Sequence, residues 1–380
     1  MLNKFQKVFN TDYQYEFKSS ARVNLIGEHI DYVGGYVFPC AISLYITAFI
    51  SLRNDKKISL YSEGLEPKEA YLDDINYNIQ NDWANYPLGA IKTLLNAGYK
   101  IDKGLNIYLK SEIPLGSGLS SSAALLDLII YSCNKIFDLK IDKKEIAILA
   151  RRCEVEFCGV NCGIMDQAAI ALGKKDKGIL LNCQDFKYVY VDADFGPYVL
   201  VLMDSKKMRK LNESKYNERV MECDKILNVL KPEFYLHSLC DLRYEDLDKA
   251  CSLLNDETLE KRLRHIVSEN KRTFDFVDAL ETKDYQKLGS ILNESHYSLK
   301  NNYEVTGFEL DSLTNAARTY QHCLGSRMTG AGFGGFSIAL VDKNYLDEFK
   351  EKVYNEYLEQ TGLKTEFYVT KVCEGLRKIK

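Results

Sequence analysis

The fifteen positions from Ala21 to Gly35 bring together Arg22, Glu28, His29, Asp31 and the pair Gly34-Gly35. Carboxylates accept hydrogen bonds from vicinal hydroxyls, an imidazole donates or accepts, and a guanidinium can face a transferring phosphoryl group. That density suits a sugar site. The apolar Val23, Leu25 and Ile26 lead directly into it, which a merely solvated loop does not explain.

A second segment, residues 114–124, reads Pro-Leu-Gly-Ser-Gly-Leu-Ser-Ser-Ser-Ala-Ala and runs into the apolar stretch 125–130. Gly116 and Gly118 let backbone approach a ligand, and free N–H groups at a helix start favour an anion. Ser120, Ser121 and Ser122 add hydroxyls for phosphate oxygens or a magnesium ion. No lysine follows the glycines, so this is not a Walker loop. The alternative is a Gly/Ser turn before an ordinary capped helix.

Two carboxylates and one further glycine run complete the set. Asp166 follows the Gly163 turn and precedes an apolar segment, as a base or a helix N-cap would. Glu154 lies in a helical pattern from Asp142 to Phe157, started by Asp142 with Glu145 and carrying an apolar face of Ile146, Leu149, Ala150, Cys153 and Phe157. Regular helical geometry puts Glu154 roughly 80° from Ile146, where it either points into a cleft or sits at a solvated edge. The run 330–335 contains Gly-x-Gly-x-x-Gly. The strand-like Phe336 to Val341 that follows argues against dinucleotide binding and for a turn near another ligand.

The elements that must position these groups form a mixed pattern. Strand-like segments at Tyr36 to Phe49, Gly104 to Leu109 and Gly178 to Cys183 alternate with helical ones near 84–98, 120–137 and 142–157. Two more strands, Tyr188 to Val191 and Tyr198 to Met203, precede charged helical patterns reaching about Ala317. Strands return at Phe336 to Val341 and Glu366 to Val372. A chain of 380 residues suggests two domains at about 100 to 200 residues each, with the boundary near residue 195: 1–195 and 196–380. No linker separates them, so the halves should pack closely.

Composition narrows the class. Hydrophobic residues at 46% and charged residues at 27% describe a globular chain, and a net charge of −4 gives no basis for nucleic-acid binding. Eleven scattered cysteines fit reduced thiols better than a disulfide framework. Cys153, Cys158 and Cys162 lack zinc-ribbon spacing and read as small core residues. Lys4 and Lys7 stand where a signal peptide would have an apolar block, and the run from Ala41 to Leu52 is too short to span a bilayer, so a cytoplasmic, membrane-free protein is expected.

With these segments together, the chain resembles the galactokinases, within a family of small-molecule kinases that includes homoserine, mevalonate and phosphomevalonate kinases. The galactokinase motif Gly-Arg-Val-Asn-Leu-Ile-Gly-Glu-His-Thr-Asp-Tyr-Asn-Gly-Gly, the Gly-rich loop with three serines and the late glycine turn all have counterparts here, in the same order. The resemblance implies an α+β fold of two domains with the active site between them. It implies phosphorylation of D-galactose at the anomeric hydroxyl by ATP with Mg²⁺, the first committed step of galactose catabolism, and no obligate protein partner.

Residue by residue, it implies sugar contacts from Glu28, His29, Asp31, Gly163 and Tyr216. ATP phosphates would be wrapped by Gly116, Ser117, Gly118, Leu119, Ser120, Ser121 and Ser122, and magnesium held by Ser122 with Glu154. Trp83 would lie beside adenine, Asp166 would be the catalytic base, and Arg22 would stabilise the transferring phosphate. Departures are Ala21 for Gly, Ile30 for Thr, Val33 for Asn, Ala331 for Gly and Phe336 for Cys. Ile30 also occurs in the N-acetylgalactosamine kinases of this family, whereas Gly34-Gly35 matches the galactose branch. Ser122-Ala123 is the pair that non-catalytic galactose sensors lack.

Overall fold

The computed structural model describes residues 2–114, 118–207 and 212–380. Gly116 and Ser117 of the expected phosphate loop lie outside the described residues. Helix α1 (Leu2–Phe9) is followed by strands β1 (Tyr15–Asn24), β2 (Tyr36–Val37), β3 (Pro39–Leu52), β4 (Lys57–Ser62) and β5 (Lys68–Tyr71). Next come α2 (Asn85–Asn96), β6 (Leu105–Ser111), α3 (Ser121–Ile136), α4 (Lys143–Arg152) and α5 (Met165–Ala171). Strands β7 (Lys177–Asn182), β8 (Lys187–Asp192) and β9 (Tyr198–Asp204) lead into α6 (Asn212–Phe234), α7 (Leu247–Ser252), α8 (Glu257–Glu281), α9 (Tyr285–Ser298) and α10 (Phe308–Arg318). The chain ends in β10 (Cys323–Thr329), β11 (Phe336–Asp342), α11 (Leu346–Thr361), β12 (Glu366–Thr370) and β13 (Arg377–Lys378).

Helices and mostly antiparallel sheets make this an α+β fold. The strand orders are β13-β1-β3-β6-β4-β5, β10-β11-β9-β12 and β2-β7-β8. The C-terminal β13 returns to pair with β1, with Phe17 opposite Lys378. One apolar core continues from Val23 and Leu25 through α3 to Ile266 and Met328, so residues from both ends of the chain share it. A smaller cluster lies under α10 and α11.

Local sequence explains several elements. The Asp142 side chain accepts the Glu145 N–H and opens α4, and Asp256 caps α8 by accepting from Thr258 and Leu259. Helix α3 buries nearly its whole circumference, as its apolar run demands. Between β11 and β12, where the sequence reading placed only strands, α11 buries Phe349, Val353 and Tyr357 at helical spacing. Strands β1, β4, β5, β10 and β13 have no counterpart among the strand-like segments of the sequence. In β10 the polar Ser326, Arg327 and Thr329 are fully or almost fully buried, which breaks the expected alternation.

Candidate active site

The site is a cavity of about 320 Å³ lined by Arg22, Glu28, His29, Asp31, Gly118, Ser120, Ser122, Gly163, Asp166 and Tyr216, with Gly330 and Ala331 closing one side. They come from β1, the loop after it, the opening of α3, the start of α5 with the turn before it, α6 and the glycine turn after β10. Arg22 projects from β1 just past a register shift against β3 at Ser20/Ala21. Such bulges re-aim side chains beside active sites.

At the centre Arg22 grips Asp166 through two hydrogen bonds, Nε to Oδ1 at 2.7 Å and an Nη to Oδ2 at 2.9 Å. Its other Nη donates to the Gly118 carbonyl at 3.1 Å. Ser120 donates to Asp166 Oδ2, and its own backbone is left-handed at φ 59°, so the residue before α3 turns its hydroxyl away from capping and onto the carboxylate. Asp166 is the second residue of α5, whose cap position is Ile164, so the N-cap reading of Asp166 does not hold.

The loop from Leu25 to Gly35 carries the sugar-type residues. Gly27 turns at φ +92°, and a Cβ there would lie 2.7 Å from the Tyr36 carbonyl. A side chain is excluded on both counts. Glu28 pairs with Arg327 at 2.8 Å; burial pushes its pKa up while Arg327 and Arg22 pull it back. His29 Nε2 lies 3.2 Å from the Ala331 carbonyl, which can only accept, so Nε2 carries the proton and Nδ1 accepts the Tyr32 hydroxyl at 3.1 Å. Burial and the neighbouring His265 push His29 down to about 3, leaving a neutral ring. Asp31 is pushed up to about 7 by burial, then by the carboxylates of Asp166 and Glu28, against the pull of Arg22. Gly163 sits so close that a Cβ would lie 1.8 Å from Asp31 Oδ2.

Glu154 is 5% exposed, which removes the solvated-edge reading. Helix α4 widens into a π turn at Cys153–Phe157, a feature frequent at functional sites, and this turn holds Glu154 inward. Glu154 accepts from Gln167 Nε2 at 2.6 Å and from Ser122; burial raises its pKa, and these bonds oppose the rise. Asp127 on α3 is fully buried with neither oxygen partnered among the described residues, and burial, with repulsion from Glu154 and Asp166, raises its pKa well above the usual value.

Among the described residues, no group of three His, Cys, Asp or Glu side chains could enclose an ion. One hydroxyl and one carboxylate at Ser122 and Glu154 are what magnesium takes from a protein when phosphates and waters complete its shell. These residues fit such an ion.

Other expected residues sit differently. Leu119 is fully buried in the core, and neither it nor Ser121 lines the cavity. Trp83 is half-buried, donates its indole N–H to the Glu66 carbonyl at 3.2 Å, and does not line the cavity. Cys153 is core, while Cys162 lines the cavity instead of the core. Ile30 is fully buried and packs on Gly35, where a Cβ would meet Ile30 Cδ1 at 2.8 Å. Sequence reasoning missed Arg327, His265 and Glu269, which hold the loop from behind. The spacing of His265, Glu269 and Thr273, four residues apart along α8 and all fully buried, was the available signal. Among the described residues, no helix is long and apolar enough to cross a membrane.

Comparison with known proteins agrees along the chain. Residues 3–52 match the galactokinase galactose-binding signature, 85–174 the GHMP kinases N terminal domain and 276–360 the GHMP kinases C terminal domain. The galactokinase of Clostridium tetani is 44% identical over 99% of this chain and 96% of its own length, and that of Staphylococcus carnosus 42% identical over 100% and 99%. The crystal structure of Lactococcus lactis galactokinase complexed with galactose superposes with a TM-score of 0.96 at 43% identity, covering 100% of this chain and 98% of that one. Methanococcus jannaschii mevalonate kinase, at 21% identity and a TM-score of 0.67, shares the fold. The chain therefore belongs to the galactokinases of the GHMP kinase family.

Proposed function

We propose that the cavity holds D-galactose against Arg22 and Asp166, with ATP entering from the start of α3 and Mg²⁺ held at Ser122 and Glu154. The reaction is ATP-dependent phosphorylation of galactose to galactose 1-phosphate. The observation that carries this assignment of roles is the Arg22–Asp166 pair, set between hydroxyl-binding side chains and the phosphate-type helix start.

The anomeric oxygen attacks the γ-phosphorus, the bond from phosphorus to the bridging β–γ oxygen breaks, ADP leaves, and Asp166 takes the hydroxyl proton. The transition state is loose, so Asp166 chiefly orients the hydroxyl and receives its proton as the O–P bond forms. Arg22, whose guanidinium holds Asp166 and the Gly118 carbonyl, would face the transferring phosphoryl charge, and the N–H groups opening α3 would face the phosphates. Glu28, His29, Asp31 and Tyr216 orient the sugar, with Gly163 leaving room for Asp31. Bound magnesium would supply neutralisation of phosphate charge.

Because Ile30 packs on Gly35 away from the cavity, it builds no wall for an N-acetyl group, which favours galactose. A sugar panel with ATP and magnesium, scored for anomeric phosphate, tests the reading. Galactose should lead N-acetylgalactosamine, and glucose should trail by up to about 10⁴, since its equatorial C4 hydroxyl leaves buried polar groups unmatched. Equal efficiencies for galactose and glucose, or a preference for N-acetylgalactosamine, would overturn it.

A further inference from the structure

The strand pairing that carries Arg22 ends at Asn24 opposite Pro39, so the backbone from Asn24 to Glu28 must find other partners as it leaves the sheet. Phe38 serves the Leu25 N–H and the Ile26 carbonyl. The remaining partners come from much later in the chain. Arg327 on β10, fully buried, donates to the carbonyls of Asn24 and Leu25 and to the Glu28 carboxylate, the last two at 2.9 and 2.8 Å. Glu269 on α8, also fully buried, accepts both the Gly27 and Glu28 N–H groups at 3.1 Å through one oxygen, while His265 donates to the Glu28 carbonyl at 3.1 Å.

We infer that Glu269 and Arg327 form a charged clamp through which the later half of the chain positions the sugar-binding loop, with Glu269 as a positioning residue that sets galactose affinity. The inference rests on the sugar-contact role proposed above for Glu28, His29 and Asp31. Opposite charges are matched to opposite backbone groups: the anion takes the N–H groups, the cation takes the carbonyls and the Glu28 carboxylate. Among the described residues, no hydrogen bond or ion pair joins the clamp to Asp166 or to the opening of α3, so its loss should be felt by the sugar more than by the nucleotide.

Burial favours a neutral Glu269, but Arg272, His265 and Arg327, with the Ser295 hydroxyl at 2.7 Å, hold it ionised with a pKa of about 2. A buried carboxylate bonded to two N–H groups aligns them more strongly than an amide oxygen can. Its conservative replacement is therefore informative.

The test compares the wild-type enzyme, Glu269→Gln and Ser295→Ala by calorimetric galactose titration without ATP, together with steady-state kinetics. For Glu269→Gln we expect galactose Kd and KM to rise about tenfold or more, kcat to change less than about fivefold, and the ATP KM to stay within about twofold. Ser295→Ala, which leaves the carboxylate charged but removes one donor, should shift galactose Kd in the same direction by about two- to threefold. Galactose Kd and KM unchanged in a folded Glu269→Gln variant, even with a lowered melting temperature, would reduce Glu269 to a stability role and overturn the clamp. Should Glu269→Gln not fold, an unchanged galactose Kd in Ser295→Ala overturns it equally. A wild-type enzyme that fails to phosphorylate galactose would instead strike the sugar assignment, and the wild-type arm reads that separately.

Discussion

Replacing Gly163 with alanine tests the sugar site at its tightest point. The new methyl would lie 1.8 Å from Asp31 Oδ2 and 2.5 Å from its Cγ. Carbon and oxygen need about 3.5 Å, so the carboxylate must retreat by roughly 1.7 Å or swing out of the cavity. Either movement takes Asp31 away from the sugar hydroxyl that we propose it accepts. Displacements of about 1 Å in a positioned group cost about 10²-fold, so kcat/KM for galactose should fall about 10²-fold, or ~2.7 kcal/mol of transition-state binding. The backbone at Gly163 is not left-handed, so alanine adds no conformational strain of its own there. Galactose should be varied at saturating ATP, with the ATP KM and the melting temperature measured alongside. A kcat/KM within threefold of wild type in a folded Gly163→Ala enzyme would refute the contact between Asp31 and the sugar.

Three further outcomes follow from the same geometry. Asp166→Asn keeps the shape but removes the charge that meets Arg22, so kcat should fall by about 10² to 10⁴ while ATP binding persists; near-normal turnover would reduce Asp166 to a structural partner of Arg22. Asp31, pushed up to about 7 by burial, accepts from a hydroxyl more strongly as a carboxylate than as an acid, so galactose affinity should weaken as pH falls from 8 to 6 and Asp31→Asn should flatten that profile; a flat wild-type profile would contradict the assignment. Asp127 has a folded pKa raised above its unfolded value, so its contribution to stability is fully present below the unfolded value and is lost as pH rises towards the folded one. Over that window Asp127→Asn should gain on wild type by up to ~1.4 kcal/mol per pH unit, read as a melting-temperature difference that widens from pH 5 to pH 8; a constant difference would refute a buried neutral acid.

The segments to which we assign the chemistry were legible in the sequence because each is local. Glu28, His29 and Asp31 share one loop, Gly118 to Ser122 open one helix, and a capping aspartate followed by apolar spacing announced α4. The galactokinase motifs, in order along the chain, carried the family and the α+β fold. Glu154 marks the edge of that legibility: regular helical geometry left it between cleft and solvent, and a π turn together with Gln167 decided for the interior.

What the tertiary structure alone decided are the pairings across long separations. Arg22 and Asp166 stand 144 residues apart, and Arg327 reaches Leu25 across 302. No periodicity or cap encodes such a meeting, because it depends on how β1, α5, α8 and β10 pack. The same packing fixed the side-chain directions: Ile30 onto Gly35, Trp83 towards Glu66, Leu119 into the core. It also set the electrostatics, since burial and neighbouring charges raise Asp31 and hold Glu269 ionised, and neither burial nor neighbours exist until the chain is folded. Sequence determined which groups are available for phosphoryl transfer to a sugar; the fold determined which of them meet, because desolvation and hydrogen-bond geometry act through space and not along the chain.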